Sequence, residues 1–243
     1  MFQVHLWLGM LLGLYVVVVC ASGSAIVFRN DFYDWLEAVG KTASYRAALY
    51  HWLSWLGKLH GSLLMESDGM VANAVGGFLL AALCLTGIIV WWPGAASWPR
   101  ALAIHANAGW RRFVFDLHSA VGFWTFAMLL MWGATGGYFV FPQPFRAAVG
   151  FFAPIVPPSA TQLPDGRQKA DVQRPFPRRR PLPLGARILR GFSYAHYGNF
   201  GGWPFKTLWV LLGLAPAVLF SSALVMWSSR VLAPAVRRFR RQS

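Results

Sequence analysis

The sequence predicts an all-α membrane protein: four transmembrane helices as two parallel-repeated hairpins, with short interfacial helices. Three observations predict it. Of 243 residues, 56% are hydrophobic and only 12% charged, a balance that excludes an ordinary soluble domain. Four apolar runs, roughly 6–28, 71–92, 118–141 and 206–229, each reach the about 20 residues that cross a hydrocarbon core of about 30 Å. The runs also repeat in pairs. At an offset of 113, His118 lies on His5, Gly122 on Gly9, Thr135-Gly136 on Ser22-Gly23 and Val140-Phe141 on Val27-Phe28. At an offset of 136, His196 lies on His60, Gly213 on Gly77, Ser222 on Thr86 and Trp227 on Trp91. Duplicated hairpins of this kind imply a pseudo-twofold axis along the membrane normal.

Taken in order, the first run has no Lys or Arg ahead of it and no clear cleavage site, so it reads as a retained helix and not as a signal peptide. The interval 29–70 begins polar (RNDFYDWLE) and ends in YRAALYHWLSWLGKLHGSLLM, an amphipathic stretch predicted to lie at the interface. Trp52, Trp55, Trp91, Trp92, Trp203 and Trp227 fall near span ends, as aromatic belts do. The interval 142–205 is Pro-rich, contains Arg178-Arg179-Arg180 and is predicted to be irregular, its arginines solvated or facing headgroups. Arg100, Arg111 and Arg112 in the 93–117 loop, with Arg230, Arg237, Arg238, Arg240 and Arg241 in the tail, favour cytoplasmic N- and C-termini. The net charge of +14 resides in such loops and tails, where it meets anionic lipid or an anionic ligand; no nucleic-acid partner is implied.

Chemistry rests on the histidines. His5 and His118 begin helices that run the same way and so share one side of the membrane; His60 and His196 precede the oppositely running helices and share the other. Two facing imidazoles at each surface are what a bis-histidine haem needs, one ring above and one below the iron. His5, Gly9 and Gly13 recur every fourth residue and leave a groove beside the first ligand. Ser22, Thr86, Thr135 and Ser222 read most simply as helix contacts, and Asp116 as an N-cap for the helix after it. His51 and His105 lack a repeat mate and receive no ligand role.

Other chemistries find less support. The eight acidic residues all lie outside the spans, which argues against a di-iron carboxylate bundle. HExxH, GxGxxG and CxxCH are absent, and Cys20 and Cys84 are both inside apolar runs. An electron donor must therefore come from outside the chain.

The segments HLWLGMLLGLYVVVVCASGSAIVFRN, LHGSLLMESDG with LTGIIVWWPG, DLHSAVGFWTFAMLLMWGATGGYFVFP and AHYGNFGGWPFKTLWVLLGLAPAVLFSSALVMWSSR resemble the PepSY-associated transmembrane family, also called iron-regulated membrane proteins. That family includes inner-membrane reductases of siderophore-bound ferric iron holding two b-type haems. The resemblance implies two haem b groups here, with His5, His118, His60 and His196 as axial ligands. The chain is then a single membrane domain in which the external intervals 29–70 and 142–205 stand in place of full PepSY domains.

The reading these lines give is a di-haem b-type cytochrome of the bacterial inner membrane. It takes electrons from a cytoplasmic or quinol donor and reduces ferric iron, as a chelate, in the periplasm. Two other readings stay open: a small haem-free transporter or permease subunit, suggested by the duplicated hairpins, and a membrane anchor regulating a partner protein.

Overall fold

The computed structural model describes residues 1–38, 43–155 and 182–232. Helices make up its regular structure: α1 (Phe2–Ile26), α2 (Arg29–Ala38), α3 (Ala43–Ser62), α4 (Glu66–Trp91), the single turn α5 (Trp98–Ala101), α6 (Trp110–Val140), α7 (Pro142–Phe152), α8 (Leu184–Tyr197) and α9 (Gly202–Trp227). A π-helical turn over Ser228–Leu232 continues α9. Four helices are long and apolar enough to cross a membrane, those built on α1, α4, α6 and α9. The chain is a multi-pass, all-α membrane protein.

The long helices form one bundle. α1 and α6 each pack against both α4 and α9, so α1 and α6 stand diagonally, as do α4 and α9. These packings are the ones that a pseudo-twofold relation exchanging α1 with α6 and α4 with α9 requires, the pairs that the two sequence offsets link. α4 and α6 approach closely at Gly77 and Gly133, where a Cβ on Gly133 would lie 2.5 Å from the Gly77 carbonyl oxygen. Gly213 on α9 makes the equivalent crossing against Cys20 and Ser24 of α1. Without a hydrophobic drive between helices in lipid, such small residues let the dispersion contacts form. The core at the centre joins Val16, Leu80, Cys84 and Leu129, with Leu12, Tyr15 and Trp132 against it. Large apolar side chains such as Leu11, Leu14, Ile89, Trp124 and Leu211 point outward, as they do in a bundle whose solvent is lipid.

Three sequence expectations need correcting. α6 begins at Trp110, well before the predicted 118, because Arg112 and Asp116 pair at i, i+4 within it (Nε to Oδ1 2.8 Å); charge ends a hydropathy run without ending a helix. Asp116 is accordingly no N-cap; Gly109 occupies that place and makes no side-chain cap. The interval 142–205 is not wholly irregular, since α7 and α8 lie within it, α8 packing on α6 and α7. Arg178-Arg179-Arg180 and the tail arginines from Arg237 onward lie outside the described residues.

The predicted amphipathic helix is α3. It packs along α1 and α4, with Leu53 buried, and so carries His60 to the bundle.

Candidate functional site

Each of the four predicted histidines reaches a different helix, and each is held by Nδ1. His5 on α1 places Nδ1 3.3 Å from Thr86 Oγ1 on α4, and His118 on α6 places Nδ1 2.8 Å from Ser222 Oγ and 3.2 Å from the Leu219 carbonyl on α9. His60, in the last turn of α3, lies 2.8 Å by Nδ1 from the Val19 carbonyl on α1; His196, in the last turn of α8, lies 2.7 Å by Nδ1 from Thr135 Oγ1 on α6. The twofold relation therefore extends to the partners: Thr86 and Ser222 are repeat mates, and Thr135 is the mate of Ser22, which stands one turn from the carbonyl His60 uses.

The other bonds of these oxygens bear on the tautomer. Thr86 donates its hydroxyl hydrogen to Leu83 O, Thr135 to Met131 O and Ser222 to Val218 O, so toward the imidazoles the oxygens accept. A carbonyl can only accept, which settles His60 in the same way. With the hydroxyl hydrogens placed on these backbone carbonyls, all four rings carry their hydrogen on Nδ1 and leave the Nε2 lone pair for another partner, the tautomer that a metal-ligating imidazole oriented by a second group would need. From the sequence alone these hydroxyls are expected to be helix contacts. Their signal was there: hydroxyls at matching positions of both repeats, each beside a small residue.

His5 and His118 line one cleft of about 690 Å3, walled mainly by apolar groups and shared by all four long helices. Glycines give the rings room. A Cβ on Gly87 would lie 3.0 Å from His5 Cε1, and one on Gly23 2.7 Å from His60 Cε1. Gly9 and Gly122 open onto the cleft in matching ways, their nearest neighbours being Leu83 at 3.8 Å and its repeat mate Leu219 at 3.7 Å. The predicted groove stops there, because Gly13 is covered by the Phe220 ring. In the other half the sizes are exchanged: Phe126 stands on α6 at the place of Gly13, and Cys84 on α4 at that of Phe220. Arg112 and Arg230 stand at the cleft wall, and His105 reaches buried Asp116 through both its backbone N (3.1 Å) and Nδ1 (2.9 Å) to Oδ2.

His60 and His196 come together at the other end, ring centroids 6.1 Å apart with an interplanar angle of 52°. Burial pushes His60 below the ordinary imidazole range, with the bond to Val19 acting the other way. Burial, and then the neighbouring His60, hold His196 down to about 3. Both shifts keep the rings neutral at physiological pH. Along α1, His5 and the Val19 carbonyl are fourteen residues apart, about 21 Å at 1.5 Å per residue, so the two histidine pairs sit toward opposite ends of the bundle. Among the described residues no three or more His, Cys, Asp or Glu side chains converge on one point, so these ends offer pairs and not a tetrahedral cage.

Comparison with known proteins agrees with the fold. An uncharacterized Pseudomonas aeruginosa protein, PA4219, is 35% identical over 81 residues, 32% of this chain; the match spans only 19% of that protein's own length. A family profile described as the PepSY-associated TM region matches residues 37–230, which takes in α3 through α9 and three of the four histidines. Four spanning helices, a pairwise repeat and a match over most of its length agree: the chain belongs to the PepSY-associated transmembrane family.

Proposed function

We propose that the chain is a di-haem b-type cytochrome that carries electrons across the bacterial inner membrane and reduces ferric iron, held as a siderophore-type chelate, on the periplasmic side. One observation carries the reading: four imidazoles in two pairs, at opposite ends of one bundle, all with Nδ1 committed to an oxygen and Nε2 free.

The residues suit the cofactor. The 690 Å3 cleft is of the size that encloses a cofactor, its walls are apolar, and His5 and His118 come from diagonal helices. Arg112 and Arg230 offer partners for two carboxylate side groups. For the second pair, His60 and His196 would hold the group between them, their ring centroids 6.1 Å apart. When bound, haem supplies one-electron chemistry at a potential set by its ligands and burial. The chain's own part is to present neutral rings, to exclude water with Phe, Leu and Trp side chains, and to keep the two sites on one rigid bundle. The donor, a quinol or a cytoplasmic reductase, and the ferric chelate are external to it.

Optical spectra of the purified full chain test this. Two reducible low-spin haems per chain are expected in wild type, and one in each of His5→Ala and His60→Ala; the double variant should be colourless. Reduced protein should be reoxidised by a ferric chelate. A colourless wild type from haem-replete cells would overturn the reading in favour of a haem-free transporter.

A further inference from the structure

His60 and His196 are not on the spanning helices. They ride on the last turns of α3 and α8, so something must fix those turns to the bundle. Asn73 on α4 donates from Nδ2 to the His60 carbonyl at 2.7 Å and to the Gly61 carbonyl at 3.3 Å. Its Oδ1 in turn accepts from the Tyr15 hydroxyl of α1 at 2.7 Å, which sets the amide orientation. In the second half, Trp209 on α9 donates from Nε1 to the carbonyl of Ala195, the residue before His196, at 3.0 Å. Asn73 and Trp209 are 136 positions apart, the offset that also relates His60 to His196. Two unlike side chains at one repeat position thus make the same kind of bond to the same helix end.

We propose that Asn73 and Trp209 are positioning residues for His60 and His196, each clamping the carboxyl end of the helix that carries the histidine. This rests on the reading of those histidines as ligands. The adjoining turns support it independently. After His196 the chain reverses through Gly198 (φ 68) and Gly202 (φ 69), which take the left-handed region freely, and Trp209 packs on Gly198, where a Cβ would be 2.9 Å from its ring. After His60 the corresponding turn has no such glycines: Leu63, Leu64 and Glu66 sit at φ 50, 62 and 51. Such a turn persists only when its surroundings hold it. The half with the strained turn has the clamp that takes two carbonyls and is itself braced by Tyr15; the half with the glycine turn uses a single N–H.

The test uses the full chain in lipid nanodiscs, with hydrogen exchange and redox titration on Asn73→Leu, Asn73→Asp, Tyr15→Phe and Trp209→Phe. Asn73→Leu and Asn73→Asp remove the donor, and amide exchange over residues 58–65 should rise at least tenfold while that over 194–199 stays at the wild-type rate. Trp209→Phe keeps an aromatic side chain without the Nε1–H and should do the reverse. Tyr15→Phe should reproduce the Asn73 pattern in weaker form. In haem-loaded protein Asn73→Leu should shift one of two midpoint potentials and spare the other. Unchanged exchange at 58–65 in Asn73→Leu, or an equal rise in both segments, would overturn the clamp. A wild type that takes up no haem overturns the functional reading, while the exchange arm still decides whether Asn73 and Trp209 hold these helix ends.

Discussion

Thr135 Oγ1 lies 2.7 Å from His196 Nδ1 while donating its hydrogen to the Met131 carbonyl 2.8 Å away, so one hydroxyl of α6 ties α8 to the bundle and sets the ring's tautomer. Ser222 does the same for His118 from α9. Removing a group in this outer position weakens metal sites by about 10–100-fold. On the di-haem proposal, Thr135→Val, which keeps the side-chain shape, should therefore weaken haem retention at the His60–His196 pair by about that factor and leave the other pair unaffected. Ser222→Ala should show the converse, more mildly because Leu219 O remains in reach. Haem titration of the cofactor-free protein reads both; equal affinities in variant and parent would show that the hydroxyls only pack.

Glycine positions separate ring clearance from general packing. Gly23→Val would push side-chain atoms into His60, where even a Cβ comes within 2.7 Å of the ring, whereas its repeat mate Gly136 has open space. If the chain holds the two haems proposed, the Gly23 variant should lose one and Gly136→Ala should retain both. Haem-to-protein stoichiometry decides it, and loss of a haem from the Gly136 variant would count against the geometry.

The α4–α6 crossing should be intolerant of any side chain at Gly133. The obstruction is the Gly77 carbonyl, backbone that cannot rotate away, so Gly133→Ala should destabilise the bundle by about 1–3 kcal/mol, the range for overpacking. At Gly122, whose nearest neighbour is a Leu219 methyl at 3.7 Å, alanine should cost little. Unfolding of both variants in mixed detergent provides the comparison.

The neutral rings at the α3 and α8 ends make the cofactor-free protein acid-sensitive. An unfolded chain protonates its histidines near 6.5, while folded His196 resists to about 3 and folded His60 is also lowered. Between those limits the unfolded state binds more protons, so stability is complete above 6.5 and declines as pH falls. Unfolding between pH 7.5 and 5, above the ordinary carboxylate range, should show this slope in the parent and a shallower one in His196→Gln. Parallel slopes would remove His196 from the account.

Much of the architecture was legible in the order of residues, because lipid imposes a simple demand: a spanning segment must satisfy its own backbone and face hydrocarbon with apolar side chains. Four such runs, their pairing at two offsets and the repeated histidines follow from that demand and from duplication. Helix ends were less legible, as the Arg112–Asp116 pair shows: a helical ion pair looks like a loop to a hydropathy count. Whether α3 and α8 would turn inward was not legible at all. That depends on contacts between residues far apart in the chain, His60 with Val19 and His196 with Thr135, and on the glycine that clears the His60 ring. The order of residues determined which groups come in pairs; packing alone decided that Nδ1 of each ring would be occupied and Nε2 left free, because a tautomer is set by whichever oxygen the fold brings beside it.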